Sequence, residues 1–86
     1  MEDTLPYSVV FDRHARRRMR ERGVSSDEVL LTLREPDGVE PSVKGRWNAF
    51  KQLAPERAIR VTYLDQGESL LVITVVRRRR FQGGDR

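Results

Sequence analysis

The pattern of apolar and polar positions divides the chain into short segments. Tyr7-Ser8-Val9-Val10-Phe11 is rich in strand formers and reads as a first strand. Asp12 to Gly23 then reads as one short helix. Asp12 is suited to accept hydrogen bonds from the free backbone N–H groups of a first turn, and Gly23 takes the left-handed conformation of a helix stop without steric cost. Ser25 followed by Glu28 forms a capping box, and Val24 with Val29 forms the hydrophobic staple across it, so a second helix begins there. Its core-facing side carries Val29, Leu30 and Leu33, and it ends near Glu35 because Pro36 disfavours helix at the residue before it.

Beyond the Asp37-Gly38 turn the periodicity changes. Pro41 excludes a central strand, so 39–43 is an edge strand or a loop. Trp47 to Leu53 alternates loosely and reads as a strand, broken by Ala54-Pro55-Glu56. Arg57 to Leu64 alternates better: Ile59, Val61 and Tyr63 share one face, and Arg60 and Thr62 the other. After the turn at 65–68, Leu70 to Val76 is apolar on both faces except for Thr74, which predicts a central strand covered on both sides. Residues 1–6 and 81–86 read as polar tails around a core of about 7–77, in one domain spanning 1–86. The element order β-α-α-β-β-β predicts an α+β domain with both helices packed on a small antiparallel sheet, since tight hairpins after residue 53 force antiparallel pairing there.

The first helix is unusual in its chemistry. Its apolar stripe holds only Ala15 and Met19, beside six arginines, so tertiary contact rather than its own amphipathicity must hold it. His14, Arg18 and Arg22 fall at i, i+4 and i+8, which aligns one imidazole and two guanidiniums. The whole chain is basic, with a formal net charge of +4. Nearly all of its cations are arginines, Lys44 and Lys51 being the two lysines. Arginine offers a planar fork that fits phosphate or carboxylate, so an anionic partner is expected: nucleic acid, an acidic protein or a membrane surface. A GC-rich genome would raise the arginine content in the same way. With no cysteine and one histidine, disulfides, thiol chemistry and a zinc site are not expected, nor is any cofactor. No apolar run approaches the roughly 20 residues of a membrane span, and a soluble cytoplasmic protein is expected.

These motifs bear a family resemblance. His14-Ala15, Arg18-Met19, Arg22-Gly23-Val24 and Ser25 to Glu28 are followed in order by Glu35-Pro36-Asp37, Gly45-Arg46, Ile59-Arg60-Val61 and Val72 to Val75. Over about residues 8–77 the chain resembles the family named domain of unknown function 4258, placed among the RelE/ParE-like toxins. The resemblance implies a RelE-like fold and the toxin component of a toxin–antitoxin system, an endoribonuclease acting on RNA or at the ribosome; cleavage is expected to be metal-independent, and the basic charge predicts neutralisation by an acidic antitoxin. Relatives of that fold include both messenger-RNA interferases and gyrase poisons. A non-catalytic toxin acting on a protein such as gyrase, or a nucleic-acid- or partner-binding module, therefore remains an alternative.

Metal-free RNA cleavage needs proton-transfer groups and cations for an anionic transition state. Histidine is the residue type suited to proton transfer near neutrality, and His14 is the sole example. The expected catalytic set is His14, Arg18 and Arg22, and the expected substrate contacts are Arg60, Thr74, Arg17 and Arg46. A second proton-transfer group would have to be Glu21, Tyr63, Tyr7 or an arginine. Plainer roles stand beside these. His14 could bond a backbone carbonyl, Arg18 and Arg22 could pair with Glu21 or the acidic residues of the second helix, and Arg60 and Thr74 could be ordinary strand residues. Arg77 to Arg80 reads as a solvated strand end. Trp47 is expected in the core, or stacked on a base if exposed.

Overall fold

The computed structural model describes residues 8–81. The N-terminal tail expected at 1–6, Tyr7 of the first strand, and residues 82–86 of the C-terminal tail lie outside them. The chain runs β1 (Ser8–Phe11), α1 (Arg13–Arg22), α2 (Ser26–Arg34), β2 (Gly38–Pro41), a 3-10 turn (Val43–Gly45), β3 (Trp47–Ala54), β4 (Arg57–Asp65) and β5 (Ser69–Arg78). The five strands form one sheet in the order β1-β5-β4-β3-β2. This is a small α+β architecture with two helices on a mixed sheet.

Both helix starts follow from the sequence signals. Asp12 Oδ2 accepts the backbone N–H of His14 at 3.1 Å, and Gly23 closes α1 in the left-handed conformation with φ 64°. In α2 the capping box is complete: Glu28 N–H donates to Ser25 Oγ at 3.1 Å and Ser25 N–H to Glu28 Oε1 at 3.0 Å. Ala15 and Met19 of α1 and Val29 and Leu33 of α2 enter the core with Ala49, Ile59, Val61, Leu70, Val72 and Val75 of the sheet. Leu30 is only half-buried. Thr32 takes the buried position instead, its hydroxyl donating to Glu28 O at 2.9 Å so that no polar group is stranded.

Three expectations about the sheet are corrected. Among the described residues it has five strands rather than four, because 38–41 does pair as an edge strand: Pro41 is tolerated at the sheet margin, opposite Trp47. It is mixed rather than antiparallel, because β1 lies parallel to β5, Val9 opposite Leu70 and Phe11 opposite Val72. The connection that follows β1 is a pair of helices rather than a hairpin, so no tight turn imposes antiparallel pairing on it. The remaining pairs, β2–β3, β3–β4 and β4–β5, are antiparallel. Finally, β5 is not covered on both sides. Its register against β4 shifts between Thr62 and Tyr63, where Ile73 is left without a partner. A bulge of this kind reverses which residues face inward. Leu70 and Val72 point to the core before it and Val75 after it, which makes a strand covered on one side read as apolar on both.

Among the described residues no helix lies on the other face of the sheet. Cross-strand pairing places Asn48 and Phe50 of β3, Arg60 and Thr62 of β4, and Thr74 and Val76 of β5 together on it. Two more residues depart from expectation. Trp47 is not in the core, being 39% exposed at the first residue of β3 beside the edge strand. Phe81 is not part of a polar tail: its ring meets Phe50 edge to face, with centroids 5.5 Å apart.

Candidate functional site

The sequence candidates fall into two groups. The first is on α1. His14 is exposed, and among the described residues its imidazole has no hydrogen-bond partner. Arg18 Nη1 lies 3.2 Å from Glu21 Oε1, and Arg17 Nε lies 3.4 Å from Glu21 Oε2. Desolvation works to raise the Glu21 carboxyl, but the two guanidiniums outweigh it and hold the carboxyl below its ordinary value. Arg18 and Arg17 therefore start from a surface ion-pair cluster that a phosphate would have to displace. Such exposed pairs are weak, so displacement is cheap.

Arg22 has turned inward. Its Nη1 donates to the backbone carbonyl of Val75 at 3.2 Å, from a half-buried position. β1 ends opposite Val72, so beyond that point β5 has no strand on this side among the described residues. Arg22 supplies a donor there to a sheet carbonyl. Arg22→Ala is expected to lower stability by about 1–2 kcal/mol, because the carbonyl loses a charged donor. A urea-unfolding midpoint equal to the wild type's would contradict this role.

The second group lies on the helix-free face. Arg60 occupies the middle of β4, the central strand of the sheet. It stands directly opposite Phe50 on one side and Val76 on the other. Its Nε is enclosed and has no hydrogen-bond partner. Buried polar atoms are almost always paired, so an unpaired guanidinium nitrogen at the centre of a sheet face needs an explanation. Thr62 is next to it along the strand, with its hydroxyl donating to Asn48 Oδ1 at 2.7 Å. Thr74 is the cross-strand partner of Thr62. Arg60 and Thr74 are thus brought onto one face, while His14, Arg17, Arg18 and Arg22 belong to the helix layer behind it. Arg46 joins neither group; it follows the 3-10 turn at the start of β3, half-buried.

Sequence reasoning passed over Phe50, Phe81 and Glu40. All three line a cavity of about 270 Å³, which Gly38 of β2 and Ala58 of β4 also border. Alternation along β3 was the available signal for Phe50. The signal for Phe81 was an aromatic residue ending a run of four arginines. The described residues hold no group of three His, Cys, Asp or Glu side chains that could bind a metal ion, and none of their helices is long and apolar enough to cross a membrane.

Residues 11–77 match the family model described as Domain of unknown function (DUF4258). The chain belongs to the DUF4258 family. No curated protein and no solved structure matches it. The matched span of this DUF4258 member takes in both helices and runs to Arg77, so both groups of candidate residues lie within it.

Proposed function

We propose that this DUF4258 protein is the toxin component of a toxin–antitoxin system that acts on RNA, holding the strand across the helix-free face of its sheet and cleaving it without a metal. One observation carries the reading: Arg60, central on that face, keeps an enclosed Nε without a partner. A phosphate oxygen is the acceptor that an arginine fork fits best. The basic composition supports an anionic ligand, and two helices behind one face of a small sheet support kinship with RelE-like toxins. In such a site the ribose 2′-hydroxyl gives up its proton and bonds to the adjacent phosphorus, the P–O5′ bond breaks, and the leaving 5′-oxygen takes a proton, which gives a cyclic phosphate and a free 5′-hydroxyl; Arg60 stabilises the charge that develops on the phosphate, and Thr74 supplies a hydroxyl close by. An acidic antitoxin segment would neutralise the protein by covering the same arginines.

The position of His14 favours a second reading, in which RNA is bound without being cut. The sole histidine belongs to the helix layer, and among the described residues the carboxylate that strand pairing places on the helix-free face is Glu40, opposite Asn48. Two assays separate the readings. RNA cleavage in EDTA, with and without ribosomes, tests catalysis, and growth after induction tests toxicity. Neither binding nor cleavage of RNA by the folded protein would end both. His14→Ala is expected to leave thermal stability within about 0.5 kcal/mol of the wild type, because the side chain is exposed. If His14 transfers a proton, that folded variant loses cleavage and Arg18→Lys is impaired beside it. Retained cleavage would remove histidine from the mechanism.

A further inference from the structure

The cavity lined by Phe50, the cross-strand neighbour of Arg60, has the size and lining of a nucleobase site. Its walls are Phe50, Ala58, Gln52 and Phe81, with Gly38 and Glu40 toward the edge strand. Phe50 stands opposite Arg60 on β4 and opposite Gly38 on β2, so the guanidinium and the cavity adjoin across one ring. A volume of about 270 Å³ is just below the ~300 Å³ at which pockets for larger organic ligands begin. It suits one planar heterocycle, and aromatic walls are what a splayed base stacks on.

The rim narrows the choice of base. Asp37 is already engaged: its Oδ2 accepts Gln52 N–H at 2.7 Å and its Oδ1 is 3.7 Å from Lys51 Nζ. Glu40 is exposed and has no ion pair among the described residues. An ionised carboxylate only accepts hydrogen bonds, through two oxygens side by side. Guanine alone presents two adjacent donors on its Watson–Crick edge, N1–H and the exocyclic amino group. Adenine, cytosine and uracil each set an acceptor beside their donor.

We infer that this cavity takes a guanine of single-stranded RNA, stacked on Phe50 and read by Glu40, with the neighbouring phosphate on Arg60. The inference rests on the RNA reading above. The test uses fluorescence anisotropy with four labelled pentaribonucleotides, uridines flanking a central G, A, C or U. Wild type is compared with Glu40→Gln, Gly38→Leu and Arg60→Met, each first checked for a cooperative thermal transition. Gly38 lies outside the left-handed region and has nothing within 4 Å of where a Cβ would sit, so its backbone tolerates a side chain that projects into the cavity.

The wild type is expected to prefer the guanine strand by about tenfold, the discrimination of one good bidentate base contact. Glu40→Gln should lose that preference while still binding, and Gly38→Leu should bind all four strands weakly and alike. Equal wild-type affinity for the four strands, still lowered by Arg60→Met, would overturn the guanine site and leave the RNA reading standing. So would a guanine preference that survives both Glu40→Gln and Gly38→Leu. No binding of any strand by the wild type would overturn both.

Discussion

An Arg60→Met protein is expected to be at least as stable as the wild type and to lose most of its hold on RNA. The two effects share a cause. Arg60 is half-buried on the central strand, its stem beside Phe50 and Val76, and its Nε is shut away from solvent without a partner. Methionine keeps the apolar stem that those neighbours pack against and removes the stranded polar atom. Relieving an unsatisfied buried group is worth about 1 kcal/mol or more, so a gain of that order is expected in the free protein. With RNA the balance reverses. A charge-assisted contact contributes about 1.5–3 kcal/mol, and its loss weakens binding by roughly ten- to a hundredfold. Because one phosphate contact disappears, the dependence of log affinity on log salt should flatten by about 0.7 for a single strand. Thermal unfolding and anisotropy titrations at three salt concentrations would check the pair. A variant that is destabilised by more than about 1 kcal/mol while binding RNA as before would make Arg60 a structural residue and remove the site from this face.

A residue kept at a cost to stability is hard to see in a sequence, and Arg60 illustrates why. Strict alternation with Ile59, Val61 and Tyr63 put Arg60 and Thr62 on the face away from the core, which is where they are. The pattern could not say whether that face was covered, and so whether Arg60 was a solvated strand residue or an enclosed one. The helices were far more legible, because caps act over four or five residues: Asp12, Gly23 and the Ser25–Glu28 box define both starts and one stop. Long-range features left weaker traces. The bulge at Ile73 reverses the inward phase of β5 within a single strand, and no local period records a reversal. The spacing of His14, Arg18 and Arg22 is helical, and α1 carries all three. Spacing shows only which side chains share a face, however, and the carbonyl that holds Arg22 comes from Val75, remote in the chain. Phe50 and Phe81 are likewise joined only by folding.

The largest stability effect is expected at Glu28, a residue that the capping box marked and whose long-range partner the sequence did not reveal. Arg57, at the first position of β4, donates from Nε to Glu28 Oε2 at 2.8 Å and from Nη2 to Glu28 Oε1 at 2.6 Å. The same Nη2 donates to the carbonyl of Gly23 at 2.6 Å. One guanidinium therefore ties the end of α1, the first turn of α2 and the sheet together. Both side chains are about three-quarters buried, at 27% exposure for Glu28 and 28% for Arg57, so solvent screens the pair only in part. Glu28→Ala removes half of a capping box and strands the Arg57 fork. The loss is expected to be about 2–3 kcal/mol, and near 10–15 °C in melting temperature for a domain of this size. A double-mutant cycle with Arg57→Ala should show coupling of about 1 kcal/mol or more; a value under about 0.3 kcal/mol would mean that the pair is only a surface contact. The pH dependence has a definite sign. Hydrogen bonds from Arg57 hold the Glu28 carboxyl below its ordinary value of 4.5, against the opposing effect of desolvation. A depressed carboxyl stabilises the fold fully above its unfolded value and loses that contribution as pH falls through the folded one. The Glu28 carboxylate holds the paired guanidinium above its ordinary value, so its own contribution fades only at strongly alkaline pH, as the solution rises through that raised value. Unfolding free energy should therefore decline as the solution is acidified below about pH 4.5, and Glu28→Gln, which cannot titrate, should decline less steeply over the same window.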